Sequence, residues 1–285
     1  MIRRVAYLVL LTGVMAVLGQ AQTNTKSPVE NQLYCSGVVS SEPVAQDTYV
    51  ISGPESYFNV IYSDRQQVFL NKGTSQGVKV GDEFQVIRPV EELLRNEWFV
   101  SQSVLIKAMG TTYEDEGRLR VVNVQQNTST AEVVFSCNYV QRGDIAQPFT
   151  PRPAPMLKPD AKLDPFAPPS GKAKAMIVST RFFGELASEG KIVYVNLGTA
   201  QGVKVGDYFR IFRYQGEDIE RAYQIPHTEY ALFGFGAAPR PYPGTELPRD
   251  ILGEGVVLRL GKNAATVLIT SSDLQIYPGD YVELE

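Results

Sequence analysis

The sequence predicts a mainly-β protein: two tandem small antiparallel β-barrel or sandwich modules, made by internal duplication and joined by a Pro-rich linker. Three observations lead there. The stretch Gly73 to Arg88 recurs as Gly198 to Arg213, with eleven of sixteen positions identical at an offset of 125. Gly117 to Asp144 matches Gly253 to Asp280 at an offset of 136, with seven of 28 positions identical. Eight prolines crowd residues 148–172, between the copies. A repeat this clear is read before any local feature. The two offsets put eleven extra residues in the middle of the second copy.

The N-terminus reads as a targeting signal at 1–21. Arg3 and Arg4 precede an apolar run from Val5 to Leu18, and Gly19-Gln20-Ala21 offers small residues for cleavage after Ala21. A run that short suits a secretory signal better than a membrane span, with an uncleaved anchor as the alternative. No Cys follows directly, which disfavours a lipoprotein, and no later run is long enough to cross a bilayer. The expectation is an exported bacterial protein, periplasmic or secreted. Without Arg3 and Arg4, 25 basic side chains stand against 31 acidic ones. That balance argues against nucleic acid, which needs a basic footprint. Cys35 and Cys137 are the only cysteines. An even count in an exported chain favours a disulfide; two buried thiols or a reactive pair are the alternatives.

Taken in order, residues 22–32 are polar and read as a flexible tail. Module one spans 33–147. Val38-Val39, Thr48 to Ile51 and Val68 to Asn71 read as strands, with Gly53-Pro54 as a turn. Gly73, Gly77 and Gly81-Asp82 supply tight reversals into the alternating strand Phe84-x-Val86. Pro89 to Trp98 has room for one helical turn, and Phe99 to Lys107 reads as extended. A β-hairpin turning at Gln126-Asn127 and a Gly143-Asp144 turn close the module.

The segment 148–172 is expected to be polyproline II, a semi-rigid spacer, with a proline ligand for a partner as the other reading. Module two spans 173–285. Ala175 to Val178 and Lys191 to Leu197 are its first strands. Gly198, Gly202 and Gly206-Asp207 repeat the turns, Lys262-Asn263 turns the hairpin, and Gly279-Asp280 precedes the last strand. The long loop 215–250 carries Tyr223, Tyr230, Phe233, Phe235 and Tyr242. These five are the candidate binding residues, with packing onto their own barrel as the alternative.

No catalytic signature emerges. A glycine triplet cradles phosphate only when a helix follows; here a strand follows. His227 is the only histidine, too few for a zinc site, and no Gly-x-Ser-x-Gly elbow accompanies it. Asp82, Asp144, Asp207 and Asp280 follow glycines at matched positions and read as turn formers. Glu114-Asp115-Glu116 reads as a solvated acidic loop. No metal or cofactor is expected. A carboxylate hydrolase using Glu114 or Glu229 is the enzymatic rival, favoured if a deep pocket gathers acids with perturbed pKa.

The motif Gly-x-x-x-Gly-Val-x-x-Gly-Asp-x-Phe, followed by a hairpin and a closing Gly-Asp, resembles the small β-modules of bacterial envelope proteins. Examples are the C-terminal domain of the flagellar assembly protein T family and the curli-secretion lipoprotein family. Ile276 to Val282 is similar to a short segment of LysM, the peptidoglycan-binding module. The resemblance implies an accessory or assembly role in the envelope, with peptidoglycan, another glycan or an envelope protein as partner. It assigns no binding residues.

Overall fold

The structure, a computed structural model, describes residues 27–90, 97–159, 162–184, 186–215 and 247–285. The repeated stretch is a turn that delivers the chain into a strand. Gly77 and Gly202 end short 3-10 turns, Thr74–Gln76 and Thr199–Gln201, at φ 84° and 80°. An L side chain is strained there. Gln76 and Gln201 accept the N–H of Gly73 and Gly198, each at 2.9 Å. Asp82 and Asp207 accept the N–H of Lys79 and Lys204, each at 2.8 Å.

Module one comprises α1 (Glu30–Tyr34), β1 (Val38–Ser40), β2 (Val50–Ser52), β3 (Ile61–Tyr62), β4 (Gln67–Leu70), β5 (Glu83–Pro89), α2 (Gln102–Met109), β6 (Thr111–Val124), β7 (Ser129–Ser136), β8 (Val140–Gln141) and β9 (Ile145–Pro148). Module two comprises β10 (Lys174–Thr180), β11 (Ile192–Val195), β12 (Tyr208–Arg213), β13 (Asp250–Leu260), β14 (Ala265–Ser272) and β15 (Tyr281–Leu284). The first sheet runs β2-β4-β7-β6-β5-β9, with β1 added alongside β6. The second runs β10-β11-β14-β13-β12-β15 and closes into a barrel. Strand for strand the orders are the same, so the duplication is one of topology as well as sequence.

Closure differs at one residue. In module two Lys174 lies opposite Glu283, and Leu284 donates its N–H to Ala173 at 3.0 Å. In module one the bonds from Val50 N–H to Asp144 and from Ala146 N–H to Thr48, both 2.9 Å, draw β2 toward β9. At the next donor Pro148 stands where module two has Leu284, and proline has no N–H to give. The chain at 45–47 parts from β9 there, over a cleft of about 290 Å³ floored by Val78 and Phe84.

Each module holds its own core. Val68, Leu70, Val86, Leu119, Val121 and Val133 fill the first; Val193, Val195, Phe209, Ile211, Val267 and Ile269 fill the second. A third cluster joins the modules. Val39 of β1 with Ile106 and Met109 of α2 packs on Val178, Ile192, Tyr194, Val256 and Leu258, on the outer face of barrel two. This explains a difference between matched strands. Gln67-Val-Phe-Leu alternates and is half-covered, whereas Ile192-Val-Tyr-Val is buried on both faces. A strand covered on both sides reads as a continuous apolar run.

Three expectations change. The tail reading of 22–32 fails at its end, because α1 begins at Glu30 and buries Leu33. The extended reading of Phe99 to Lys107 fails because α2 starts at Gln102. Gln102, Ile106 and Met109 are its buried positions, a helical spacing that its β-branched residues masked. The Pro-rich segment is no free spacer. Lys158 donates its N–H to the Tyr208 hydroxyl at 2.6 Å, Ala167 accepts from Arg249 at 3.2 Å, and Arg152 reaches the Leu33 carbonyl at 3.0 Å. Most of Pro89 to Trp98 and of the loop 215–250 lies outside the described residues.

Cys35 and Cys137 form a disulfide 102 residues apart in sequence. It fixes the entry of β1, which lies along β6 beyond the end of β7. Replacing both cysteines with serine is expected to lower unfolding free energy by about 2–5 kcal/mol, read from urea titration. An unchanged midpoint contradicts this account of how β1 is held.

Candidate functional site

The acidic run is not a solvated loop. Glu114, Asp115 and Glu116 lie on β6, and Asp115 and Glu116 are buried. Asp115 sits where segments of both modules meet. Its Oδ2 accepts the Gly37 N–H at 2.8 Å, and its Oδ1 accepts from Gln85 at 3.2 Å and from Arg152 at 3.4 Å. Arg259 of β13 donates to both oxygens at 3.1 Å. Burial pulls the Arg259 pKa down while Asp115 opposes it. Beside them the buried Tyr194 hydroxyl donates to the Ser36 carbonyl at 3.0 Å, and burial pushes its pKa up. Gln102 of α2 donates to the Val178 carbonyl at 2.7 Å. These groups form a structural joint.

Glu116 occupies a β-bulge where β6 passes β5, and Leu252 occupies the same place in module two. Both copies carry an arginine clamped on the closing Gly-Asp turn. Arg88 Nε and Nη2 donate to Asp144 at 2.7 and 2.9 Å; Arg213 repeats this on Asp280, both at 2.7 Å. Asp144 and Asp280 are thus ion-pair partners as well as turn formers. Module one adds a second carboxylate to the pair. Arg88 Nη1 lies 3.0 Å from Glu116, yet neither Glu116 oxygen has a hydrogen bond. Burial raises the Glu116 pKa to about 7; Arg88 pulls it down, while Asp144 and Glu114 push it up. Burial also raises Glu114, against Arg181 and Arg88.

The exposed aromatic groups lie elsewhere. The loop between β2 and β3 holds Tyr57 and Phe58 out in solvent, each 79% exposed, with Val60 and Ile61 beside them. Their ring centroids are 4.5 Å apart. The loop is an ordered turn: Phe58 and Asn59 both donate to the Glu55 carbonyl, at 2.8 and 2.9 Å. The equivalent loop of module two carries Phe182 and Phe183, with Phe182 58% exposed. Both residues have left-handed backbone, φ 63° and 52°, a costly conformation for an aromatic residue. Arg181 stacks on the Phe182 ring at 4.3 Å.

These residues were missed in the sequence, although a signal existed. The offset of 125 extends upstream of Gly73 and sets Tyr57-Phe58 against Phe182-Phe183. The candidates Tyr223, Tyr230, Phe233, Phe235 and Tyr242 lie outside the described residues, as do His227 and Glu229. Glu114 lines neither the cleft beside Pro148 nor a larger one between the modules. Among the described residues no group of three or more His, Cys, Asp or Glu is placed to hold a metal ion. No protein-family profile matches the chain, and no curated protein is significantly similar to it.

Two outcomes test this electrostatic picture. Asp115→Asn leaves Arg259 and Arg152 short of their counter-charge at the joint, at an expected cost of about 3–5 kcal/mol in chemical unfolding. Glu116 holds its proton in the folded state at pH values where the unfolded chain, near its ordinary value of 4.5, has released it. The folded state then binds this proton more tightly, so the contribution of Glu116 to stability is full below about pH 4.5 and is lost as pH rises through about 7, on the order of 3 kcal/mol. Glu116→Leu, which copies module two, is expected to flatten most of that fall in urea titrations at pH 5 and 7.5. An unaltered slope assigns the proton elsewhere.

Proposed function

We propose that this chain is an exported, non-enzymatic protein of the bacterial cell envelope that binds or scaffolds another envelope component. The observation that carries the reading is the exposed aromatic rings on matched loops of the two modules, Tyr57 and Phe58 on one and Phe182 on the other. Exposed rings held by an ordered turn in one copy and by strained backbone in the other suit a contact surface. Such rings stack on sugar faces or fill apolar hollows, which supports a peptidoglycan or glycan partner.

Two further observations support the reading. A disulfide suits an oxidising compartment such as the periplasm. Two ion pairs with buried carboxylates, Asp115 with Arg259 and Asp144 with Arg88, are engaged in holding the modules together or bracing the closing turn of module one. Among the described residues no helix is long and apolar enough to cross a membrane.

Co-sedimentation of the mature protein with isolated peptidoglycan sacculi, across a range of salt, tests this. Salt-resistant pelleting is expected. The triple variant Tyr57→Ala, Phe58→Ala and Phe182→Ala is expected to lose about tenfold or more in affinity, at roughly 0.5–1.5 kcal/mol per stacked ring. Tyr230→Ala with Tyr242→Ala is run beside it. Wild-type protein left in the supernatant removes the glycan partner, and crosslinking then tests a protein partner. Pelleting that neither variant weakens removes both aromatic surfaces.

A further inference from the structure

The second cleft lies between the modules and measures about 510 Å³, within the range of small-ligand sites, which favour domain interfaces. One wall is the chain leaving β1, with Ser41 and Glu42. The other wall comprises the repeated turn at Thr199 and the β13–β14 hairpin, with Leu260 and Lys262. The second wall is one unit, and the first wall rests on it. Thr199 and Ala200 donate their N–H groups to Gly261 and Lys262 at 3.1 and 3.0 Å, zipping turn to hairpin. A Cβ on Gly261 would stand 2.1 Å from the Val39 carbonyl, so β1 seats directly on the hairpin and only glycine fits beneath it.

The polar groups of the cleft are available. Neither Glu42 nor Lys262 has an ion-pair partner among the described residues, although they line one cleft with opposite charges. The Ser41 and Thr199 side chains make no hydrogen bonds there either. Leu260 adds a short apolar contact. Module one supplies the acid and module two the base, so the cleft exists only while the modules are docked.

We propose that this cleft binds a small zwitterion, an amino acid or short peptide whose ammonium faces Glu42 and whose carboxylate faces Lys262. Ser41 and Thr199 serve the polar atoms between the two ends. Occupancy joins two modules through one ligand, so it adds to the stability of the docked arrangement. The proposal stands apart from the aromatic loops: sacculus binding can fail while the cleft fills, and the reverse.

The test is amide NMR of the complete mature protein titrated with alanyl-alanine to about 20 mM, a range that reaches millimolar affinities. Saturable shifts are expected at Ser41, Thr199, Gly261 and Lys262. Glu42→Gln and Lys262→Gln are each expected to weaken binding about two- to fivefold, the worth of an exposed ion pair. The N-acetylated, C-amidated dipeptide, lacking both charges, is expected to bind about tenfold more weakly. Absence of saturable shifts overturns the site. Equal affinity for the blocked dipeptide, or for both variants, overturns the zwitterion.

Discussion

One buried carboxylate holds the two modules in register. Asp115 gathers the approach to β1, the side chain of Gln85 on β5, Arg152 from the Pro-rich segment and Arg259 from β13. These segments lie far apart in sequence, and two of the donors are formally charged. Isolated buried charge is expensive, so each partner is stable in this place only while the others are present. The geometry of the joint follows. β1 is drawn between β6 and barrel two, Val39 packs against the outer face of that barrel, and Tyr194 caps the Ser36 carbonyl. The joint adds specificity of docking to an interface whose attraction is mainly apolar burial.

Around that joint the two copies have diverged while keeping one topology. Asp115 and Glu116 stand where module two has Ile251 and Leu252. Module one carries polar groups at its seam and a second buried carboxylate, Glu116, beside the Arg88 pair; module two is apolar inside and along much of the face that meets module one. Pro148 in place of Leu284 adds the other difference, a seam that stops zipping where the N–H is missing. A shared frame with different linings thus carries the buried Asp115 of the joint in one copy and a closed barrel in the other.

The aromatic loops belong to this frame. They leave matched strands, β2 and β10, and return at matched bridges, Tyr62 with Val140 and Ala187 with Ile276. Their rings are therefore positioned by barrel architecture and not by loop chance. This is the physical basis for reading the protein as a binding scaffold, and it rests on exposure and backbone strain together.

The sequence by itself determined the duplication, the strand-rich class, the turns at Gly77 and Gly202 and the Arg88–Arg213 equivalence, because these are local or repeat within the chain. Gly-Asp spacing is a backbone requirement, readable without partners. The disulfide was legible from the even cysteine count together with the expectation of export. Tertiary structure alone decided the rest. Glu114-Asp115-Glu116 looks solvated because charge is normally exposed; partners from elsewhere in the chain, Arg88 for Glu116 and Arg152 and Arg259 for Asp115, offset the burial of its last two residues. Helix α2 looks extended because Val104 and Ile106 are β-branched; only the outer face of barrel two gives Ile106 and Met109 something to bury against. The Pro-rich segment looks like a spacer because its own composition lacks a core, yet Tyr208 and Arg249 supply the hydrogen bonds that lay it along barrel two. Local backbone chemistry is written in neighbouring residues, whereas burial is a property of what the distant chain brings alongside.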